Sequence, residues 1–169
     1  MTIAETDRLY LRHMSTDDAA FILELVNEPA WLEFIGDRGV HHLDDARAYI
    51  ASGPIAMVER YGFALFAVIR KADLAPIGIC GLLKRDMLDD VDLGFALLAR
   101  YRGHGYAREA AQGAIAYGLG SLGLRRIVAI AKPGNARSLY LLQSLGFTAE
   151  GLVTLTNGEP PVCLLALEL

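Results

Sequence analysis

The segment Arg100-Tyr-Arg-Gly103-His-Gly105-Tyr106-Ala107 sets two glycines one residue apart, just ahead of a run rich in alanine. Glycines at such a point let the backbone turn tightly and bring several N–H groups to face one spot, while the helix that follows adds the positive end of its dipole. This arrangement suits anion binding, most naturally of phosphate. The neighbouring residues exclude two phosphate-binding designs. A Walker-type loop requires Gly-Lys-Ser/Thr, which is absent; a dinucleotide fingerprint requires a third glycine where Arg108 stands and an acid about twenty residues further on. No Asp or Glu occurs between Glu109 and Glu150. Upstream, Asp86, Asp89, Asp90 and Asp92 form an acidic stretch, with Asp90 and Asp92 on one side of a regular strand. Carboxylates there can accept a proton or attract a cation. Cys80 and Cys163 lie far apart, each in an apolar run, and read as small buried hydrophobes rather than a disulfide. His41-His42 has no Cys or His at zinc spacing, so no metal is expected.

The glycine turn needs a strand before it and a helix after it, and the patterning supplies both. Val91–Leu98 reads as a strand, and Gly105–Leu119, with Ala107, Ala110, Ala111, Ala114, Ala116 and Gly118, as a helix pressed closely on a sheet. Arg126–Ala131 is an apolar strand, and Asn135–Leu145 a helix with Asn135 as N-cap and Gly146 as its stop. Before them, Asp7–Met14 alternates as a short strand, Ser15-Thr-Asp-Asp18 opens a helix through Val26, and Pro29 separates a second helical segment over Ala30–Ile35. A short helix over Asp44–Ala51 is expected to end at Gly53-Pro54, and Phe63–Arg70 and Pro76–Leu83 to form a hairpin. Thr148–Thr156 and Val162–Leu169 flank the turn signal Asn157-Gly158. The strands around residues 95 and 128, joined by a crossover helix, should run parallel, which makes the domain α/β with a mixed sheet.

The 169 residues show no repeat or linker, so one domain over residues 1–169 is expected. The hydrophobic fraction is 53%, yet no apolar run approaches the ~18 residues that span a bilayer. The N-terminus lacks a secretory pattern, and with two isolated cysteines a reducing cytoplasm is expected, with no membrane contact. The net charge of −4 argues against nucleic acid as a partner. From Arg100 to Ala149 seven basic residues face the single acid Glu109, a balance of +6 that leaves −10 for the rest. A basic segment in an acidic chain suits a small polyanion held locally, or else a solvated helix face.

A third phosphate design, the pyrophosphate loop Arg/Gln-x-x-Gly-x-Gly/Ala of acyl-CoA-dependent acyltransferases, matches Arg100-Tyr-Arg-Gly103-His-Gly105. The whole succession of glycine turn, small-residue helix, apolar strand, Asn135-Ala-Arg-Ser138 helix and Leu145-Gly-Phe147 stop resembles the GNAT superfamily of N-acyltransferases. Glu5-Thr-Asp-Arg-Leu9 with Leu11-Arg12, and Asp92-Leu-Gly-Phe95, resemble the branch that includes ribosomal-protein N-terminal acetyltransferases. The resemblance covers nearly the whole chain. It implies an α/β (α+β) fold with one twisted, mostly antiparallel sheet of about seven strands, a splayed central parallel pair and about four flanking helices.

The resemblance further implies acetyl-coenzyme A as co-substrate and direct transfer of its acetyl group to an amine in a ternary complex. The pyrophosphate would rest on the amides of Arg102, Gly103, His104, Gly105, Tyr106 and Ala107. The backbone of Phe95 and Leu97 would pair with the pantetheine arm, and a Leu97 N–H at a bulge would stabilise the oxyanion. Asn135 and Ser138 would line the far side of the cleft, with Ser138 near the sulfur. Asp92 stands where relatives often carry an acid; its ordinary pKa of ~3.9 suits a water relay better than direct abstraction. Many relatives place a tyrosine at the position held by Leu142; Tyr140 is two residues away and points elsewhere. Acceptor selection is expected from Trp31–Gly39 and the loops around Tyr61 and Glu159, and a homodimer is the default for such an enzyme. The rival reading is a non-catalytic acetyl-CoA-binding sensor or interaction module on the same fold.

Overall fold

The apolar runs of the sequence become neighbouring strands because each exposes backbone donors and acceptors that only another strand can satisfy after burial. The computed structural model describes residues 1–169. The strands are β1 (Thr2–Glu5), β2 (Leu9–Arg12), β3 (Leu65–Arg70), β4 (Ala75–Leu83), β5 (Asp92–Leu97), β6 (Arg126–Ala131), β7 (Thr148–Val153) and β8 (Val162–Glu168). They form one sheet in the order β1-β2-β3-β4-β5-β6-β8-β7. Every neighbouring pair is antiparallel except β5 and β6. The mixed sheet is thus the one expected, with eight strands instead of about seven. The additional one is β1, a short edge strand joined to β2 through a turn closed by Thr6 N–H on the Leu9 carbonyl.

The helices are α1 (Ala19–Val26), α2 (Pro29–Phe34), α3 (Leu43–Ile50), α4 (Ala56–Tyr61), α5 (Tyr106–Gly120) and α6 (Ala136–Ser144). Ser15 and Asp18 form the expected capping box, and Asp18 is further held by Arg12 through two hydrogen bonds of 2.8 and 2.9 Å. Pro29 opens α2, where its missing N–H costs nothing. The helix begun at Leu43 does not end at Gly53-Pro54, as the sequence suggested. A π turn over Ala51–Ile55 carries the chain past Pro54 into α4, which ends at Gly62. The wider turn accommodates a residue that offers no backbone donor and would clash with the carbonyl four residues back.

The two faces of the sheet bury different cores. Leu9, Leu11, Phe66, Leu93 and Leu97 meet Ala110, Ala111 and Ala114 of α5 and Leu142 of α6. A Cβ on Gly118 would come within 3.2 Å of Leu82 and Ile127, which shows how closely α5 lies on the strands. On the other face α1–α3 and the π turn cover Ala67, Ile69 and Ile79. A separate small cluster of Leu88, Val128 and Ala166 lies over β6 and β8. No helix is long and apolar enough to cross a membrane.

Candidate active site

The site begins where β5 and β6 part. Their pairing is limited to Asp92 opposite Val128, with the Val128 N–H donating to the Val91 carbonyl at 3.0 Å. Beyond that point the strands splay toward their C-terminal ends. Antiparallel pairing alternates which residues face the neighbour. Because Leu98 N–H donates to Ile77 in unbroken register with the Leu97–Gly78 pair, the even-numbered residues of β5 bond to β4. The Phe95 and Leu97 amides therefore point into the split, as expected of them. By the same logic Leu169 N–H on the Arg125 carbonyl turns the Ile130 backbone toward the split from β6. The β4–β5 register contains no bulge, contrary to expectation. The divergence of β6 frees these donors without one.

The glycine turn stands at the open end of the split. Gly103 and Gly105 have φ of 82° and 79°, the left-handed region that side chains disfavour. No backbone carbonyl accepts from the amides of Gly103, His104, Gly105, Tyr106 or Ala107, the last two being the first residues of α5. Arg102 departs from the expected set: its N–H donates to Ala99, and its Nη2 donates to the Leu97 carbonyl at 3.1 Å. That guanidinium closes the end of β5 rather than extending into the turn. His104 is exposed.

Across the mouth, Asn135 caps α6 by accepting from Ser138 N–H at 3.3 Å. The cap uses only the Ser138 amide. Ser138 lies one turn before Leu142, on the same helix stripe. Leu142 is buried in the α5-side core and Tyr140 is 76% exposed, so neither supplies a hydroxyl to the split.

The acidic stretch does not form a cluster. Asp90 pairs with Arg126, which also binds Glu150 and Glu168, and no group of three or more His, Cys, Asp or Glu side chains is arranged to hold a metal ion. Asp92 alone lies at the closed end of the split, 1% exposed, 3.2 Å from Arg85 Nε. Strand alternation turns its side chain to the face of α1–α3, between the two apolar clusters on that face. Burial pushes the Asp92 carboxyl above its ordinary value, against the pull of Arg85 and Lys84. The basic stretch is likewise dispersed: Arg100 pairs with Glu24, and Lys132 and Arg108 donate to the carbonyls of Glu33 and Ser144.

Trp31 of α2 is buried among α1, α3 and the sheet, and Tyr61 stacks on Phe63 on the α5 side, so these two residues pack rather than line the split. Sequence reasoning gave no role to Arg85 or Arg8. Arg85 lies seven positions before Asp92, across an irregular loop that no periodicity describes. Cys80 is buried, with its thiol pushed up to about 12 by that burial. In native protein at pH 8 a thiol reagent is expected to leave Cys80 unmodified and to reach it only in denaturant; peptide mapping after alkylation checks this.

Comparison with known proteins gives this geometry a family. A profile described as an acetyltransferase (GNAT) domain matches residues 8–148. The N-acetyltransferase p20 of Bacillus licheniformis is 32% identical over 152 residues, covering 88% of this chain and 83% of p20. The fold of a GNAT-family acetyltransferase from Bacillus anthracis superposes with a TM-score of 0.81 at 23% identity, over 99% of this chain and 98% of that one. RimL, a ribosomal L7/L12 alpha-N-protein acetyltransferase solved with coenzyme A, superposes with a TM-score of 0.84 at 18% identity, over 100% of this chain and 98% of its own. With the family profile spanning most of the chain and the split sheet and glycine turn in place, this chain belongs to the GNAT acetyltransferase family.

Proposed function

We propose that the protein transfers the acetyl group of acetyl-coenzyme A to a primary amine, of a protein N-terminus or a small molecule, within a ternary complex. The observation that carries this reading is the pair of open donor sets, the amides of Gly103–Ala107 at the turn and those of Phe95 and Leu97 in the split. The diphosphate rests on the turn, where left-handed glycines and the α5 dipole concentrate positive potential. The pantetheine arm pairs with β5 as an extra strand would, and Asn135 and Ser138 close its other side. RimL, which shares the fold, was solved with coenzyme A, and this supports the choice of ligand.

The thioester then reaches toward the closed end of the split. Leu97 lies about 17 Å along the strand from Asp92, and Phe95 about 10 Å, at ~3.3 Å per residue. In this reading the Phe95 amide takes the oxyanion role that the resemblance implied for Leu97, and Leu97 holds the arm. An ammonium has no lone pair for attack, so it first gives a proton through water to Asp92. Burial raises the proton affinity of that carboxylate toward the range a base requires. The freed amine attacks the thioester carbon, negative charge collects on the oxygen beside Phe95 N–H, and collapse breaks the C–S bond. The departing thiolate takes the second proton of the amine, relayed past Ser138. No side chain at position 142 can supply it.

Leu142 is also the observation that favours the second reading, a sensor that binds acetyl-CoA without turnover. Thiol release from acetyl-CoA, followed across a panel of N-terminal peptides, polyamines and amino acids, separates the two. An enzyme turns over with at least one amine well above the hydrolytic background. Tight binding without release in every case supports the sensor.

A further inference from the structure

The glycine turn is held from behind by a residue of a distant element. Arg8, in the turn between β1 and β2, donates from Nη1 to the His104 carbonyl at 2.9 Å and from Nε to Glu109 Oε1 at 2.7 Å. Its backbone N–H donates to Glu109 Oε2 at 2.9 Å, an oxygen that also accepts from the Thr6 hydroxyl. Its guanidinium carbon is 4.4 Å from the centre of the Tyr106 ring, and its Nη2 is 3.4 Å from where a Cβ on Gly105 would stand. One side chain therefore touches His104, Tyr106 and the single acid of the basic stretch, and stands against the space beside Gly105.

Two consequences follow from elementary geometry and charge. In a trans peptide the C=O and the following N–H point in opposite directions. Holding the His104 carbonyl on the Arg8 side turns the Gly105 N–H to the opposite side. Because Gly103 and Gly105 tolerate either sign of φ, that peptide would otherwise be free to flip and present its carbonyl to the bound anion. The second consequence concerns Glu109, which lies in the first turn of α5. An unpaired carboxylate there would compete with a diphosphate for the positive end of the helix.

We propose that Arg8 is a positioning residue for coenzyme binding: it locks the His104–Gly105 peptide with its N–H toward the diphosphate and cancels the charge of Glu109 beside it. This rests on the reading of the glycine turn as the coenzyme site. The test is calorimetric titration of the full chain with coenzyme A and with dephospho-coenzyme A, joined to initial-rate kinetics with an amine found active. Arg8→Ala is expected to weaken both ligands by about tenfold, the size of one charge-assisted hydrogen bond, and to raise the KM for acetyl-CoA by a similar factor. The kcat at saturating acetyl-CoA and the KM for the amine stay unchanged. Glu109→Gln in the Arg8→Ala background is expected to recover part of the loss, where a merely structural role would add a second loss. Arg8→Lys keeps a positive charge for Glu109 but cannot fork to His104 while stacked on Tyr106, so its affinity falls between the two. It carries the test if Arg8→Ala does not fold.

Unchanged affinity in these variants, with wild type binding normally, overturns the inference and leaves the site reading intact. A loss confined to coenzyme A, sparing dephospho-coenzyme A, also overturns it, because Arg8 would then be grasping the 3′-phosphate itself. Wild-type protein that binds neither ligand brings down the site reading and this inference with it.

Discussion

Gly105→Glu is expected to abolish measurable binding of coenzyme A while the protein remains folded. Three effects act together at this position. Gly105 has φ of 79°, where a side chain strains the backbone by about 1–2 kcal/mol. The new carboxylate would stand beside the amides of Gly103–Ala107 and repel the diphosphate they are proposed to hold. It would also lie against Arg8 and draw that guanidinium away from the His104 carbonyl. A loss of at least about a thousandfold, roughly 4 kcal/mol, is expected in calorimetric titration. The turn lies at the surface, so far-ultraviolet circular dichroism should be unaltered. Normal affinity in a folded Gly105→Glu protein would move the coenzyme site away from this turn.

Asp92→Asn is expected to lower turnover by about a hundredfold, the usual contribution of a positioned base, with coenzyme affinity unchanged. The two effects separate because Asp92 lies at the closed end of the split, remote from the turn. In wild type the pH profile of kcat should fall on the acid side as the raised carboxyl of Asp92 takes up its proton, and the variant should lose that limb. Stability should move the other way. A carboxyl whose folded pKa is raised contributes stability below its unfolded value of ~3.9 and loses it as pH rises through the folded value. At pH 8 the ionised, buried Asp92 therefore weighs on the fold, although Arg85 offsets part of the cost. The neutral isostere should raise the melting temperature at pH 8. Full activity in Asp92→Asn would remove this residue from the mechanism, and a lowered melting temperature would show the ion pair to outweigh the burial cost.

The opposite shifts expected at Asp92 express a common feature of enzyme sites. Burial that destabilises the fold is also what gives a carboxylate useful basicity. The protein tolerates this because the strain is concentrated at one residue of β5, held between β4 on one side and Val128 on the other.

Much of this arrangement was legible in the chain itself. β6 over Arg126–Ala131, α5 with its small-residue face, the Ser15–Asp18 capping box and the Asn135 cap all stand where patterning and turn chemistry placed them. Each depends on residues within a few positions of one another, so a local reading suffices. The glycine turn was legible for the same reason: two glycines one residue apart, just ahead of a helix, mark a tight left-handed turn with open amides, and the whole pattern lies within a few residues. Only the tertiary structure decided the rest. β8 lies between β6 and β7, and the split leaves Phe95 and Leu97 without partners on the β6 side. The acidic stretch is drawn apart by Arg85 and Arg126, and Arg8 reaches a turn 96 positions away. These features arise from backbone edges and charges that meet only after the chain has folded. Their energies depend on distance and burial rather than on spacing along the sequence, and apart from Arg85 and Asp92 the partners lie tens of positions from one another.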